Sequence, residues 1–389
     1  MKKKAAGARR LERGSTDAMH SAVRLHGAGD VRLDTAVPTP TPKPGEVLLE
    51  IGACGLCGSD VHYFTHWSRM DSGLAAMEER GQIIGHEFAA TVTQLGEGVA
   101  EQWPELTVGT RVAVEPNRNC HCCESCDVGN PNMCDRLLFA GCGGPEGACQ
   151  RYLAYPASRD LLFPLPACLS LEDGAMLEPM GIALHAVNLA HVKLADSVCV
   201  VGTGPIGLLI IALLKLSGAT PIFAVERFAH RAQLAKHYGA DHVLNCSLDE
   251  AVEQVRAKTG GRGCDLVFEA AGSTATPEAC CRMVRKGGTV LIAGICAADV
   301  VQFRHSVARR SGLTVKFVRR MKHTYPRCIA LAEKGLVDLR TMVSHRVPLD
   351  GVAGALQMLA KYQDEDVGFY HADAEAAVKV LVVPGAVGD

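Results

Sequence analysis

Three things are missing from this 389-residue chain: an excess of either charge, a long uninterrupted apolar run, and any internal repeat or low-complexity linker. Lys and Arg number 40 against 42 Asp and Glu, for a formal net charge of −2 and an isoelectric point near 6.7. With that balance, bulk charge offers nothing to gather nucleic acid or an anionic membrane. The longest apolar stretches, such as LLIIALL at residues 208–214, fall far short of the roughly 20 residues a membrane-spanning helix needs. There is no apolar signal segment, and the 17 cysteines are an odd number. Free and metal-bound thiols in a reducing cytoplasm are therefore expected over a disulfide framework. At this length a single hydrophobic core stops growing, so two domains are expected.

What is present changes texture along the chain. Residues 1–19 carry Lys2, Lys3, Lys4, Arg9, Arg10 and Arg13 against Glu12 and Asp17, with no apolar periodicity to dock them. They read as a disordered basic extension, or as a targeting segment by their Arg-rich, acid-poor composition. From Ala22 to about Val114, short alternating runs (EVLLEIGACG, FAATVTQLG, TVGTRVAVEP) broken by Pro and Gly point to a mostly β region. Beyond residue 186, apolar β runs (SVCVVG, PIFAVE, CDLVFEAAG, TVLIAG) alternate with helical patterns such as GPIGLLIIALLKLSGA, the rhythm of a doubly wound parallel sheet in an α/β protein. The simplest arrangement inserts residues 186–320 as a dinucleotide-type domain into a domain made from residues 20–185 and 321–389.

GTGPIG, from Gly202 through Gly204, Pro205 and Ile206 to Gly207, fits a phosphate-binding turn. A β run precedes it and an apolar helix follows, so backbone N–H groups and the helix dipole can face a pyrophosphate. Nineteen residues past Gly207 the next β run ends in Glu226. A carboxylate there can accept from the adenosine ribose hydroxyls and repel a 2′-phosphate, favouring NAD over NADP, although the adjacent Arg227 could pair with that phosphate.

The run NCHCCESCDVGNPNMC at residues 119–134 packs five cysteines into sixteen residues. Cys120, Cys123, Cys126 and Cys134 have a spacing that tight turns can converge on one tetrahedral zinc, which leaves no open coordination position. Cys122 is left over. A nucleic-acid zinc module is the rival reading, but Arg118 and Arg136 are opposed by Glu124, Asp127 and Asp135, so phosphate attraction has no source. Separately, GACGLCGSDVHYF and IIGHEFAA offer Cys57, His86 and Glu87, mixed S, N and O donors of the kind that build a catalytic zinc with a free position.

Taken together, CGLCGSDVHYF, GHE, the four-cysteine lobe, LEPMGIALHA at residues 177–186 and VGTGPIG resemble the zinc-dependent medium-chain dehydrogenase/reductase superfamily, in its sorbitol (polyol) dehydrogenase-like branch. The resemblance runs from about Met19 to Pro384. It implies a GroES-like, mostly β catalytic domain enclosing a Rossmann domain, with zinc and NAD as cofactors and a homodimer or homotetramer as the assembly. By position, Cys57, His86, Glu87 and Glu178 match the catalytic zinc site, where Glu178 lies close to the metal or its water. Ser59 matches the start of a proton relay that His62 or bound water could continue. Tyr63, Phe139 and Arg319 match positions of the polyol pocket. Two departures leave the substrate open within its class: Arg320 stands where Tyr is often found, and CGGPEGA replaces a TPP-containing loop. The implied activity is hydride transfer from a small-molecule secondary alcohol (polyol, cyclitol, vicinal diol or hydroxy-amino compound) to NAD. L-threonine 3-dehydrogenase-like activity is one alternative, and a non-enzymatic zinc and nucleotide sensor is another.

Overall fold

The tetrapeptides VCVV and IFAV have no polar face, which suits strands covered on both sides. In the computed structural model, which describes residues 19–66, 80–296, 298, 300–362 and 376–385, they form strands Val198–Val201 and Ile222–Val225, with every residue buried. These two sit inside a six-stranded, wholly parallel sheet. Its spatial order is His242–Leu244, Ile222–Val225, Val198–Val201, Cys264–Glu269, Val284–Ile292, Thr314–Phe317. Strand order reverses beside Val198–Val201, and in such sheets a ligand binds outside the carboxyl ends at that point. The apolar helix Pro205–Leu216 begins there, directly after the glycine turn. No helix among the described residues is long and apolar enough to cross a membrane.

Most of the remaining strands build the second layer, with a three-stranded and a two-stranded sheet beside it. A seven-stranded sheet runs Leu162–Pro164, Arg111–Val114, Glu87–Leu95, Glu46–Gly55, Lys379–Val382, Val343–Val347, with Tyr152–Pro156 also paired to Glu46–Gly55. Lys379–Val382 lies antiparallel to Glu46–Gly55, with Leu381 opposite Gly55. Segments from before and after the parallel sheet therefore meet in one sheet. Of the basic stretch expected to be disordered, residues 1–18 lie outside the described residues, whereas Met19 opens the strand Met19–Gly27.

Helix Leu177–Ala190 joins the two layers. Its Met180, Ala183 and Leu184 share one buried cluster with Leu208 and Ile211 of the following helix and with Ala53 and Ala113 of the seven-stranded sheet. Tyr325 belongs to the same cluster. Its ring stacks on Phe163 at 4.7 Å, and its hydroxyl donates to the Val114 carbonyl at 2.6 Å. That bond pins the segment after residue 318 against the seven-stranded sheet. Tyr325→Phe keeps the ring but strands a buried carbonyl, so it should lower unfolding free energy by about 1–2 kcal/mol. Urea denaturation checks the loss, and metal analysis should show unchanged zinc content.

Candidate active site

Cys57 occupies the N-cap of helix Gly58–Thr65 in extended conformation. Its backbone N–H donates to Asp60 Oδ2 at 2.8 Å, which fixes the first turn. The other oxygen of this fully buried carboxylate faces His86 Nδ1 at 3.6 Å. Burial, the largest single influence, opposes a charged imidazole, but Asp60 and Cys57 together outweigh it and raise the His86 pKa well above its ordinary value. His86 immediately precedes the strand Glu87–Leu95, where Glu87 pairs with Gly55 of the neighbouring strand. One donor atom each from Cys57, His86 and Glu87 lie within 4.8 Å of one another.

Glu87 is held by Lys379, whose ammonium also donates to the Leu56 carbonyl at 3.0 Å. Both side chains are 2% exposed. Neither Asp60 nor Lys379 emerged from sequence reasoning, though each left a trace. Asp60 stands three residues after Cys57, where a capping carboxylate belongs, and Lys379 interrupts an apolar strand, where lysine needs a partner to be buried. Glu178, on the first turn of helix Leu177–Ala190, is buried beside this set without belonging to the group of three. Burial raises its carboxyl pKa to about 7, with His86 opposing and Glu87 reinforcing the shift.

Ser59 Oγ lies 3.5 Å from His86 Nε2. One turn along the same helix, His62 Nε2 donates to the carbonyl of Ile295 at 3.0 Å, just past the strand Val284–Ile292 of the parallel sheet. Helix Gly58–Thr65 thus touches both layers. Around this centre, Tyr63 accepts from Cys142 Sγ at 3.0 Å, and the Phe139 ring packs on that of His86 at 4.9 Å. Arg319 does not reach the pocket. It is exposed, and its carbonyl accepts from Asn132. Arg320 turns inward instead, over the Phe139 ring. The reason is local: Arg320 takes left-handed backbone, φ 54, a conformation costing a non-glycine residue about 1–3 kcal/mol, and the chain reverses there.

The four crowded cysteines converge as their spacing required. Cys120, Cys123, Cys126 and Cys134 place their sulfurs within 4.8 Å of one another. Backbone N–H groups aim at them: the Cys122 N–H, together with neighbouring thiols, draws Cys120 down to about 6, and Cys120 itself donates to Cys134 Sγ at 3.3 Å. Cys122 stays outside, exposed, accepting from Arg136 at 2.9 Å. Both donor sets suit zinc. The first is mixed and leaves room for a further ligand; the second is all sulfur and closed.

The third site is a cleft of about 700 Å³ at the carboxyl ends of the parallel strands, lined by Gly202, Gly204, Glu226, Arg227, Arg231 and Tyr362 among others. A Cβ on Gly207 would strike the Gly202 carbonyl at 1.9 Å, so only glycine closes this turn. At Gly204 a Cβ would meet nothing nearer than 3.9 Å, leaving the backbone open to a pyrophosphate. Pro205 starts the helix and Ile206 follows it. The Glu226 carboxylate holds the turn itself, accepting from the Thr203 N–H at 2.8 Å and the Phe228 N–H at 3.0 Å. A ribose would therefore share these oxygens rather than find them idle, which a carboxylate's four acceptor positions allow. Arg227 donates to the Tyr362 carbonyl at 3.4 Å and stacks over Phe228, while Arg231 stacks over Tyr362. Sequence reasoning missed Arg231 and Tyr362, since their neighbourhood arises only from a contact spanning more than 100 residues.

Comparison with known proteins agrees with this geometry. Residues 43–167 match the alcohol dehydrogenase GroES-like domain and residues 205–334 the zinc-binding dehydrogenase domain. A sorbitol dehydrogenase of Bacillus subtilis is 30% identical over 360 residues, covering 92% of this chain and 96% of that protein. Among solved structures, an Escherichia coli oxidoreductase of unknown specificity superposes with a TM-score of 0.83 at 28% identity, covering 95% of this chain and 100% of that one. The 2R,3R-butanediol dehydrogenase of Bacillus subtilis follows with a TM-score of 0.80 at 30% identity, covering 94% of this chain and 100% of that one. With a mixed donor set, a four-sulfur lobe and a glycine turn on a Rossmann sheet all in place, the chain belongs to the zinc-dependent medium-chain dehydrogenase/reductase superfamily, in its sorbitol dehydrogenase-like branch.

Proposed function

We propose that this protein oxidises a secondary alcohol of a polyol or vicinal diol and passes the hydride to NAD, with one zinc ion held by Cys57, His86 and Glu87 and another by the four-cysteine lobe. The observation that carries this reading is the convergence of one half-buried sulfur with one buried nitrogen and one buried oxygen donor within 4.8 Å of one another. They lie one helical turn from a histidine that touches the nucleotide-type sheet. When bound, zinc supplies the Lewis acidity that makes a coordinated alcohol a stronger acid, and NAD accepts the hydride.

The side chains supply positioning and proton traffic. Asp60 orients His86 from behind, and Lys379 offsets the charge of Glu87, so the donor set can stay buried. Ser59 takes the proton of the substrate hydroxyl while passing its own to His62 or to water. The His62 Nε2–H donates to the Ile295 carbonyl, which fixes the orientation of the ring. Glu178, beside the donor set, either completes the coordination or holds the hydrogen bond of a displaced water. At the cofactor end, Glu226 favours NAD by repelling a 2′-phosphate. All 17 cysteines are free of disulfides, which supports a reducing cytoplasm, and we expect a homodimer or homotetramer.

A screen of NAD reduction by the zinc-loaded protein across alditols, cyclitols, vicinal diols and L-threonine tests the reading. NADH should form with at least one polyol or diol, and NADP should be about tenfold or more less efficient. Turnover of L-threonine alone would move the assignment to a threonine dehydrogenase-like enzyme, and zinc and NAD binding with no turnover on the whole panel to a sensor.

Two substitutions separate the metal sites. Cys57→Ser should lower kcat/KM by about 100-fold and remove one zinc per chain, as measured by elemental mass spectrometry alongside steady-state kinetics. Cys126→Ser should also remove one zinc, yet act on the thermal midpoint and leave relative substrate preference in place, because its site is closed to substrate.

A further inference from the structure

The pocket beside the mixed donor set holds a half-buried cation, Arg320, which has no ion-pair partner among the described residues, although the carboxylates of Glu115 and Glu178 act on it from farther off. The guanidinium carbon of Arg320 lies 3.7 Å from the centroid of the Phe139 ring, and that ring packs on the His86 imidazole at 4.9 Å. One aromatic ring thus separates the charge from a member of the metal set. Of the guanidinium nitrogens, Nη1 donates to Asn117 Oδ1 at 3.4 Å, while Nε is buried with no hydrogen-bond partner. Among the described residues, Arg320 takes part in no ion pair. Burial opposes its charge and Arg319 adds repulsion, while Cys142, Tyr63 and Glu178 offset part of that cost.

Such an arrangement is costly unless something else completes it. A desolvated guanidinium needs a partner, and an aromatic face supplies only part of one. Left-handed backbone at a non-glycine residue persists only where its surroundings impose it, and here it turns this side chain inward. The edge left open, Nε with Nη2, is the fork that grips a carboxylate with two parallel hydrogen bonds. A phosphate would present three oxygens to that single edge.

We infer that Arg320 receives a carboxylate carried by the substrate, so that the alcohol oxidised belongs to a hydroxy acid of the aldonate type rather than to a neutral alditol. This deepens the dehydrogenase reading above and rests on it for the alcohol chemistry. The carboxylate sits over the far side of Phe139 while the reacting hydroxyl faces Cys57, His86 and Glu87. Tyr63, tied to Cys142, flanks the space between.

The test compares zinc-loaded wild-type protein with Arg320→Gln and Arg320→Lys on four- to six-carbon aldonates, the matching neutral alditols and the matching alditol phosphates. Calorimetric binding of an aldonate to the NADH complex is measured in parallel, with zinc content and NADH affinity as folding controls. The wild type should prefer aldonates over alditols by about tenfold or more in kcat/KM. Arg320→Gln should cut that ratio by about 10- to 100-fold, and Arg320→Lys should keep the preference in weakened form. Aldonate binding to the NADH complex should weaken in Arg320→Gln in proportion. Equal use of alditols by the wild type, a uniform loss across both classes in Arg320→Gln, or a preference for alditol phosphates overturns the assignment. If no compound is turned over, Arg320-dependent aldonate binding upholds this inference while the dehydrogenase reading fails. Absent binding sinks the inference itself.

Discussion

The reactive centre depends on burying Glu87 against Lys379. A carboxylate this deep is stable only when its charge is met, and here the answering ammonium comes from the strand Lys379–Val382, which pairs antiparallel to Glu46–Gly55. The pair therefore couples a donor of the mixed set to the register of the catalytic sheet. It also explains why segments from before and after the parallel sheet share one sheet: unless residue 379 is brought beside Gly55 and Glu87, the donor set carries an unpaired buried charge. Asp60 plays the matching part behind His86, and its carboxylate also accepts from the Cys57 backbone N–H, which links the second donor to the helix that begins there.

The two sulfur-containing sites differ in how they are assembled. Cys120, Cys123, Cys126 and Cys134 lie close in sequence, and local turns with inward N–H groups suffice to gather them. By contrast, Cys57 and His86 belong to separate elements, and Glu178 arrives on the helix that joins the two layers. The first is a property of a loop and the second a property of the whole fold. That difference suits their roles, because a closed site needs only shape, whereas a site with an open position must face a cleft formed by distant parts.

Where the sequence was easily read, the signal was periodic or local. The parallel sheet followed from apolar runs alternating with helical patterns, and the glycine turn from its place between VCVV and the helix Pro205–Leu216. Where it misled, the deciding fact was a direction. Arg319 and Arg320 are neighbours of one chemical type, and only a left-handed backbone at Arg320 settles which of them points inward. Glu226 was rightly placed at the strand end, but its hydrogen bonds to Thr203 and Phe228 depend on the folded turn. Arg231 and Tyr362 could not have been paired from sequence at all, since a cation–aromatic contact leaves no local pattern.

By itself the sequence determined the fold class, the tightly spaced four-cysteine cluster and the glycine turn ahead of the apolar helix, because each rests on residue type at short spacing. Tertiary structure alone decided which carboxylate is neutralised, which arginine faces the pocket and which histidine touches the second layer. Those outcomes depend on burial and on side-chain direction, and both arise only when segments hundreds of residues apart exclude water together.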